Sequence, residues 1–338
     1  MNSLERVQAT INFEPTDRVP VFSHVYGFAS KLVGISLREY LSNGRLMAQC
    51  QIEAWRRFKH DGVSAFADSC LEAEALGSKV SYSGDDIYPH IEEPILRHVR
   101  DISSLSIPDP HRDGRMPVVL EACKILREEV GEQTPVIGTI QGPMTLAGQL
   151  IGMETLIYTV VDSPEEFNQI LDFTTQVTIT FAKVLVEAGA HVIQIFDPSS
   201  SCSVINRAVF CRHVFPNLRR IFTELRKEPD LICWLSITGR TQPILDLLPK
   251  TGAHLFNIDY LVPISLAMEK LSHHCINGNI KPFAFISGSA KEIEKEAQIL
   301  IEKAHLRRGF ILSPGCEIPL GSKATNIEAM IRVAHTFR

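Results

Sequence analysis

Short apolar runs alternate along the chain with longer stretches in which apolar residues recur at i, i+3 and i+4. The short runs are rich in β-branched residues and predict strands at 18–25, 62–68, 134–142, 191–197, 231–237, 254–259, 276–280 and 309–315. The longer stretches predict helices, most clearly at 163–189, 289–304 and 326–337. Ser163 stands before Pro164, Glu165 and Glu166, and Ser289 precedes Glu292 by three residues, so both helices carry start signals. Strands separated by helices require parallel crossovers. Eight of them fit a single-domain, distorted (β/α)8 TIM barrel, an α/β fold with a helix at its N-terminus, better than an open doubly wound sheet. No G-x-G-x-x-G follows the first strand to favour the open sheet. The stretch 79–99 interrupts the rhythm, and Gly84-Asp85 within it predicts a β-hairpin excursion after the second strand. No linker or repeat divides residues 1–338.

In such a barrel the chemistry gathers at the C-terminal ends of the strands. That rule selects Asp68, Gln141, Asp197, Ser236, Thr238, Asp259, Asn279 and Cys316, polar groups that close apolar strands. Taken singly, each is more simply read as a helix cap or a partner for loop amides. Taken together, they predict a ring of polar side chains around one hollow.

Composition narrows the function. The net charge of −5 leaves no basic excess for nucleic acid. The eight cysteines form no C-x-x-C pair, which fits reduced thiols in a cytoplasmic protein. The N-terminus lacks a signal-peptide pattern, and no apolar run reaches the ~18 residues that span a bilayer.

Several segments carry a resemblance: "ERVQATINFEPTDRVPV", "AFADSCLEAEALGSKV", "GTIQGPMTLAGQLIG", "AGAHVIQIFDPSSS", "GNIKP" and "ILSPGCEIPLGSKATNIEAM". In that order and spacing the chain resembles the uroporphyrinogen decarboxylase superfamily, within it the cobalamin-dependent methyltransferase branch typified by methylcobalamin:coenzyme M methyltransferase. The resemblance implies a distorted (β/α)8 barrel. A true decarboxylase is disfavoured. The arginines that would hold its porphyrinogen carboxylates are missing between Val19 and Leu37, and unpaired buried carboxylates are costly. Asp68 matches the family Asp, but the family Tyr falls on Gln149, the Ser on Pro198 and the His near Pro314.

In the methyltransferases, the resemblance implies, zinc is held by H-x-C after the fifth strand and a Cys after the eighth, and it keeps an acceptor thiol as thiolate. Cys316 matches the last ligand, while H-x-C falls on Ser236-Ile237-Thr238. Hydroxyls are poor zinc ligands beside imidazole and thiolate, so zinc is expected to be absent or held in an altered site. His24, Asp197 and Glu317 are further donors near the mouth, none singled out by its context. The expected activity is methyl exchange between a small substrate, other than a zinc-activated thiol, and a corrinoid carried by a partner protein. The chain itself lacks a D-x-H-x-x-G corrinoid motif. Asp68 and Asp197 are the catalytic candidates. Glu74, Gln141, Ser236, Thr238, Asp259 and Asn279 are candidate substrate contacts. Alternatives are a non-catalytic binding or regulatory protein and a zinc thiol methyltransferase with replaced ligands. Expected partners are a corrinoid-binding protein and a small methylated substrate or methyl acceptor, with a homodimer and a monomer both left open by the sequence; nucleic acid and membrane are not among them.

Overall fold

A computed structural model describes residues 1–304 and 308–337. Its strands are β1 (Val63–Ala65), β2 (Lys79–Ser81), β3 (His90–Glu93), β4 (Val136–Gln141), β5 (Val192–Phe196), β6 (Ile232–Ser236), β7 (Leu255–Asn257), β8 (Cys275–Ile280) and β9 (Phe310–Pro314). Seven of them, β1 and β4 to β9, pair in parallel and in chain order. β2 and β3 form the antiparallel excursion that Gly84-Asp85 predicted, with that dipeptide in the connecting loop.

The predicted strand at 18–25 shrinks to one bridge, Val21 to Leu312. Pro20 has no N–H to donate, and His24 adopts a left-handed φ of 48°, so the ladder cannot extend in either direction. This segment still closes the curled sheet. Phe22 N–H donates to Leu312 O at 2.9 Å, Leu312 N–H to Pro20 O at 2.9 Å, and Asp61 N–H to Val21 O at 2.8 Å. The result is a distorted TIM barrel.

Alternation along the strands sets the lumen. Phe22, Ile137, Val192, Ile232, Trp234, Leu255, Cys275 and Ile311 make one apolar cluster with Val7 of the N-terminal helix Ser3–Ile11. That cluster plugs the lower lumen. Two positions further along, the same faces turn polar at Thr139, Gln194 and Ser236. Cys233, on the opposite face of β6, joins the separate core between sheet and helices. Among the helices, Ser289 makes the predicted capping box, with Ser289 N to Glu292 Oε2 at 2.7 Å and Glu292 N to Ser289 Oγ at 3.3 Å. At helix Pro164–Glu187 the start signal is Pro164 and the acidic first turn, since the Ser163 side chain makes no cap bond. Among the described residues, no single helix is long and apolar enough to cross a membrane.

Candidate active site

The polar upper lumen encloses a cavity of about 20 Å³, room for roughly one water. His24 and Tyr26 reach it from the stretch after the closing bridge, Phe66 from the end of β1 and Thr139 from β4. Gln194 and Phe196 come from β5, Ser236 from β6, and Cys316 and Glu317 from the loop after β9. Parallel register sets Thr139 beside Gln194 and Phe196 beside Ser236.

Burial dominates the electrostatics. Tyr26 Oη and Thr139 Oγ1 both donate to Gln194 Oε1, at 2.9 and 2.7 Å. Burial raises the Tyr26 phenol, so it stays a donor. It lowers His24 to about 4, which makes the imidazole neutral at physiological pH. His24 Nε2 is buried with no partner among the described residues. Cys316 is pushed up to about 12 by burial and by the neighbouring Glu317 charge, so its sulfur is a thiol. Glu317 keeps a partly open edge, yet the protein packed around its carboxyl, with the charge of Asp68, pushes it up to about 7.

Tyr88, from the loop between β2 and β3, donates to Glu317 Oε1 and accepts from Gly27 N–H at 2.9 Å. A Cβ at Gly27 would stand 2.3 Å from Tyr88 Oη, so only glycine permits this approach. Outside the Tyr88 contact lies a vestibule of about 470 Å³, lined by Asp86, Ile87 and residues 318–320, which shares Cys316 and Glu317 with the inner cavity. A larger groove, about 820 Å³ between helices Gly44–Phe58 and Met116–Val130, is open and ringed by surface charges of both signs.

The strand-end residues divide. Ser236 and Cys316 meet at the cavity. Asp68, Asp197 and Thr238 do not line it, against the expectation of a shared hollow. Asp68 accepts from Arg115 Nη1 at 2.6 Å and from Cys70 N–H at 2.8 Å, and Glu74 accepts from Arg115 Nε at 2.6 Å. Asp197 caps the helix Pro143–Ile151, accepting from Thr145 N–H at 2.8 Å, Thr145 Oγ1 at 2.7 Å, Met144 N–H at 3.4 Å and Ser200 Oγ at 2.5 Å. Burial pushes Asp197 upward against these donors. Asp259 accepts from Gly239 and Leu261 N–H at 2.9 and 2.8 Å. Asn279 donates to the Asp259 and Val262 carbonyls at 3.1 and 2.8 Å. Thr238 sits half-buried on the turn beyond β6. The Gln141 amide is buried with neither of its polar atoms partnered among the described residues.

Sequence reasoning passed over Tyr26, Phe66, Tyr88, Thr139, Gln194 and Phe196. Thr139 and Gln194 did carry a signal, since each is a polar residue inside an apolar strand. It also passed over Glu72, which is 1% exposed and pushed up to about 7 by burial. Such a carboxyl holds a proton when folded that it gives up when unfolded. Its contribution to stability is full below about pH 4.5 and is lost as pH rises through about 7. At about 1.4 kcal/mol per pKa unit, the displacement is worth on the order of 3 kcal/mol. Glu72→Gln cannot ionise and is expected to exceed wild type in stability at about pH 8, with the gap closing near pH 4. Urea unfolding at both pH values checks this, and a gap independent of pH would sink it.

At the positions that the resemblance gives to zinc stand two hydroxyls, Ser236 and Thr238, and one thiol, Cys316. Among the described residues no three His, Cys, Asp or Glu side chains converge to hold an ion. This set does not fit an imidazole–thiolate zinc site.

A model of the uroporphyrinogen decarboxylase (URO-D) family matches residues 2–337. The methylcobamide:CoM methyltransferase MtbA of Methanosarcina acetivorans is 27% identical over 338 residues, covering 99% of this chain and 98% of its own. The methylcobamide:CoM methyltransferase MtaA of Methanosarcina barkeri is 27% identical over 333 residues, covering 96% and 95%. A solved methyltransferase from Methanosarcina mazei superposes with a TM-score of 0.91 at 26% identity, covering 100% of this chain and 99% of its own. The chain belongs to the uroporphyrinogen decarboxylase family, within which these relatives are methyltransferases.

Proposed function

We propose that this chain exchanges a methyl group between a small substrate, other than a zinc-activated thiol, and a corrinoid carried by a partner protein. The observation that carries the reading is the meeting of Ser236 and Cys316 in one small cavity at the barrel mouth, whose wall holds no Lys or Arg among the described residues. Of the three positions that the resemblance gives to a thiol-activating zinc, Cys316 is kept and the H-x-C pair is replaced by Ser236 and Thr238. The corrinoid would carry the methyl group and supply the cobalt chemistry. The residues of this chain enclose the substrate, exclude water and orient its methyl group towards the mouth. Gln194 fixes the lumen wall by taking both neighbouring hydroxyls. Tyr88 and Glu317 stand where vestibule and cavity adjoin. Asp68 and Asp197 hold Arg115 and the helix Pro143–Ile151 in place around that cavity.

The purified chain, incubated with cob(I)alamin and a panel of methyl ethers, methylamines and methylated ammonium compounds, is expected to form methylcobalamin from at least one of them. The reverse assay, methylcobalamin with thiols, is expected to give no methylation. Zinc-dependent methylation of a thiol, with no reaction from the other donors, would overturn the proposal.

A further inference from the structure

Beside the His24 imidazole, three benzene rings, those of Tyr26, Phe66 and Phe196, line the inner cavity. Tyr26 and Phe66 meet edge to face with centroids 5.0 Å apart. The Tyr26 and Thr139 hydroxyls both donate to Gln194 Oε1, so neither has a proton left for a guest. The one carboxyl among the residues lining the cavity belongs to Glu317, and the vestibule adds Asp86. No Lys or Arg lines either space among the described residues. The other strand-end carboxyls, Asp68, Asp197 and Asp259, are engaged elsewhere. An anionic guest would meet carboxylates with no cation to pair with. A cation meets aromatic rings and a carboxyl group, the combination that recognises quaternary ammonium groups.

We propose that the substrate is a polymethylated ammonium compound that enters by the vestibule, sets one N-methyl group against Phe66 and Phe196 in the inner cavity and holds its cationic nitrogen beside Glu317. This rests on the methyltransferase reading above and names its substrate class. The inner cavity has room for roughly one water, hence for one methyl group. One N-methyl anchors there, a second turns towards the vestibule where the corrinoid must approach, and the rest of the molecule occupies the vestibule. In the transfer the C–N bond breaks with its electron pair passing to nitrogen. The methyl group passes to the reduced corrinoid, which supplies the pair for the new bond. The neutral amine leaves and needs no proton, so the reaction runs without an acid on the cavity wall.

Calorimetric titration of the purified chain with choline, and with its isostere bearing a tert-butyl carbon in place of the nitrogen, tests the site. Choline is expected to bind about tenfold more tightly than the isostere. Glu317→Gln and Phe196→Leu are each expected to weaken choline binding several-fold with unchanged melting curves. If either variant fails to fold, the comparison of cation with isostere in the wild type decides alone. Equal affinity for the two compounds overturns the site. Methyl transfer from methyl ethers with no affinity for ammonium compounds overturns the site and leaves the methyltransferase reading standing. Selective binding of choline without methyl transfer from any ammonium compound to cob(I)alamin supports the site and overturns that reading.

Discussion

Asp61→Ala is expected to destabilise the protein by about 3–5 kcal/mol, the range for removing one partner from a buried ion cluster. Its side chain is fully buried. Arg6 Nη1 and Arg18 Nη1 each donate to it at 2.7 Å, Ser3 Oγ at 2.7 Å and Val21 N–H at 2.8 Å. Truncation leaves two guanidiniums, with side chains only 7% and 14% exposed, facing an empty space. Arg6 still has Asp17, but Arg18 has no other carboxylate among its hydrogen bonds within the described residues. The position magnifies the loss. Asp61 donates its own N–H to Val21, where the sheet closes, and its carboxylate ties the helix Ser3–Ile11 to the barrel floor. Urea unfolding followed by circular dichroism measures the effect. A loss under about 1 kcal/mol would mean that water solvates both arginines and that the cluster is dispensable.

The barrel was legible because its signals are local and repeated. Seven predicted runs became strands of one sheet, and the capping box at Ser289 and the excursion at Gly84-Asp85 formed as their residues dictate. The run at 18–25 misled because β-branched residues cannot report that Pro20 and His24 interrupt the ladder on either side of one bridge. The site was legible only in part. A polar strand end marks a position, but its side chain turns either into the lumen, as at Ser236, or onto the next loop, as at Asp197 and Asp259. Parity along the strand separates the two cases up to the last ladder bond and fails beyond it. Tyr88 was out of reach altogether. It lies 229 residues from Glu317 in sequence, and its approach depends on a missing Cβ at Gly27.

Gly142→Ala is expected to lower stability by about 3 kcal/mol and to weaken guest binding in the same variant. Gly142 has an ordinary φ of −77°, so backbone strain is not the reason. The reason is space. A Cβ there would stand 2.3 Å from Asp197 Cβ and 2.4 Å from its carboxyl carbon. The Gly142 N–H donates to Phe196 O at 2.8 Å, which holds the ends of β4 and β5 together. The added methyl group must either part the two strand ends or push the Asp197 carboxyl off the N-terminus of helix Pro143–Ile151. The first route is overpacking, about 1–3 kcal/mol. The second leaves Thr145 and Met144 N–H groups unpaired in the interior, a further 1–3 kcal/mol or so. Both routes move Phe196, the residue before Asp197 and part of the cavity wall, so binding and stability fall together. The clash account has a specific signature. Asp197→Ala alone removes the cap, but combined with Gly142→Ala it also removes the obstruction. The double variant is therefore expected to be more stable than the sum of the two single losses allows, by about 1–2 kcal/mol. Urea midpoints for the four proteins of the cycle measure this coupling. Strict additivity would show that the methyl group at 142 never met Asp197 and that something other than contact between strand ends makes this position a glycine.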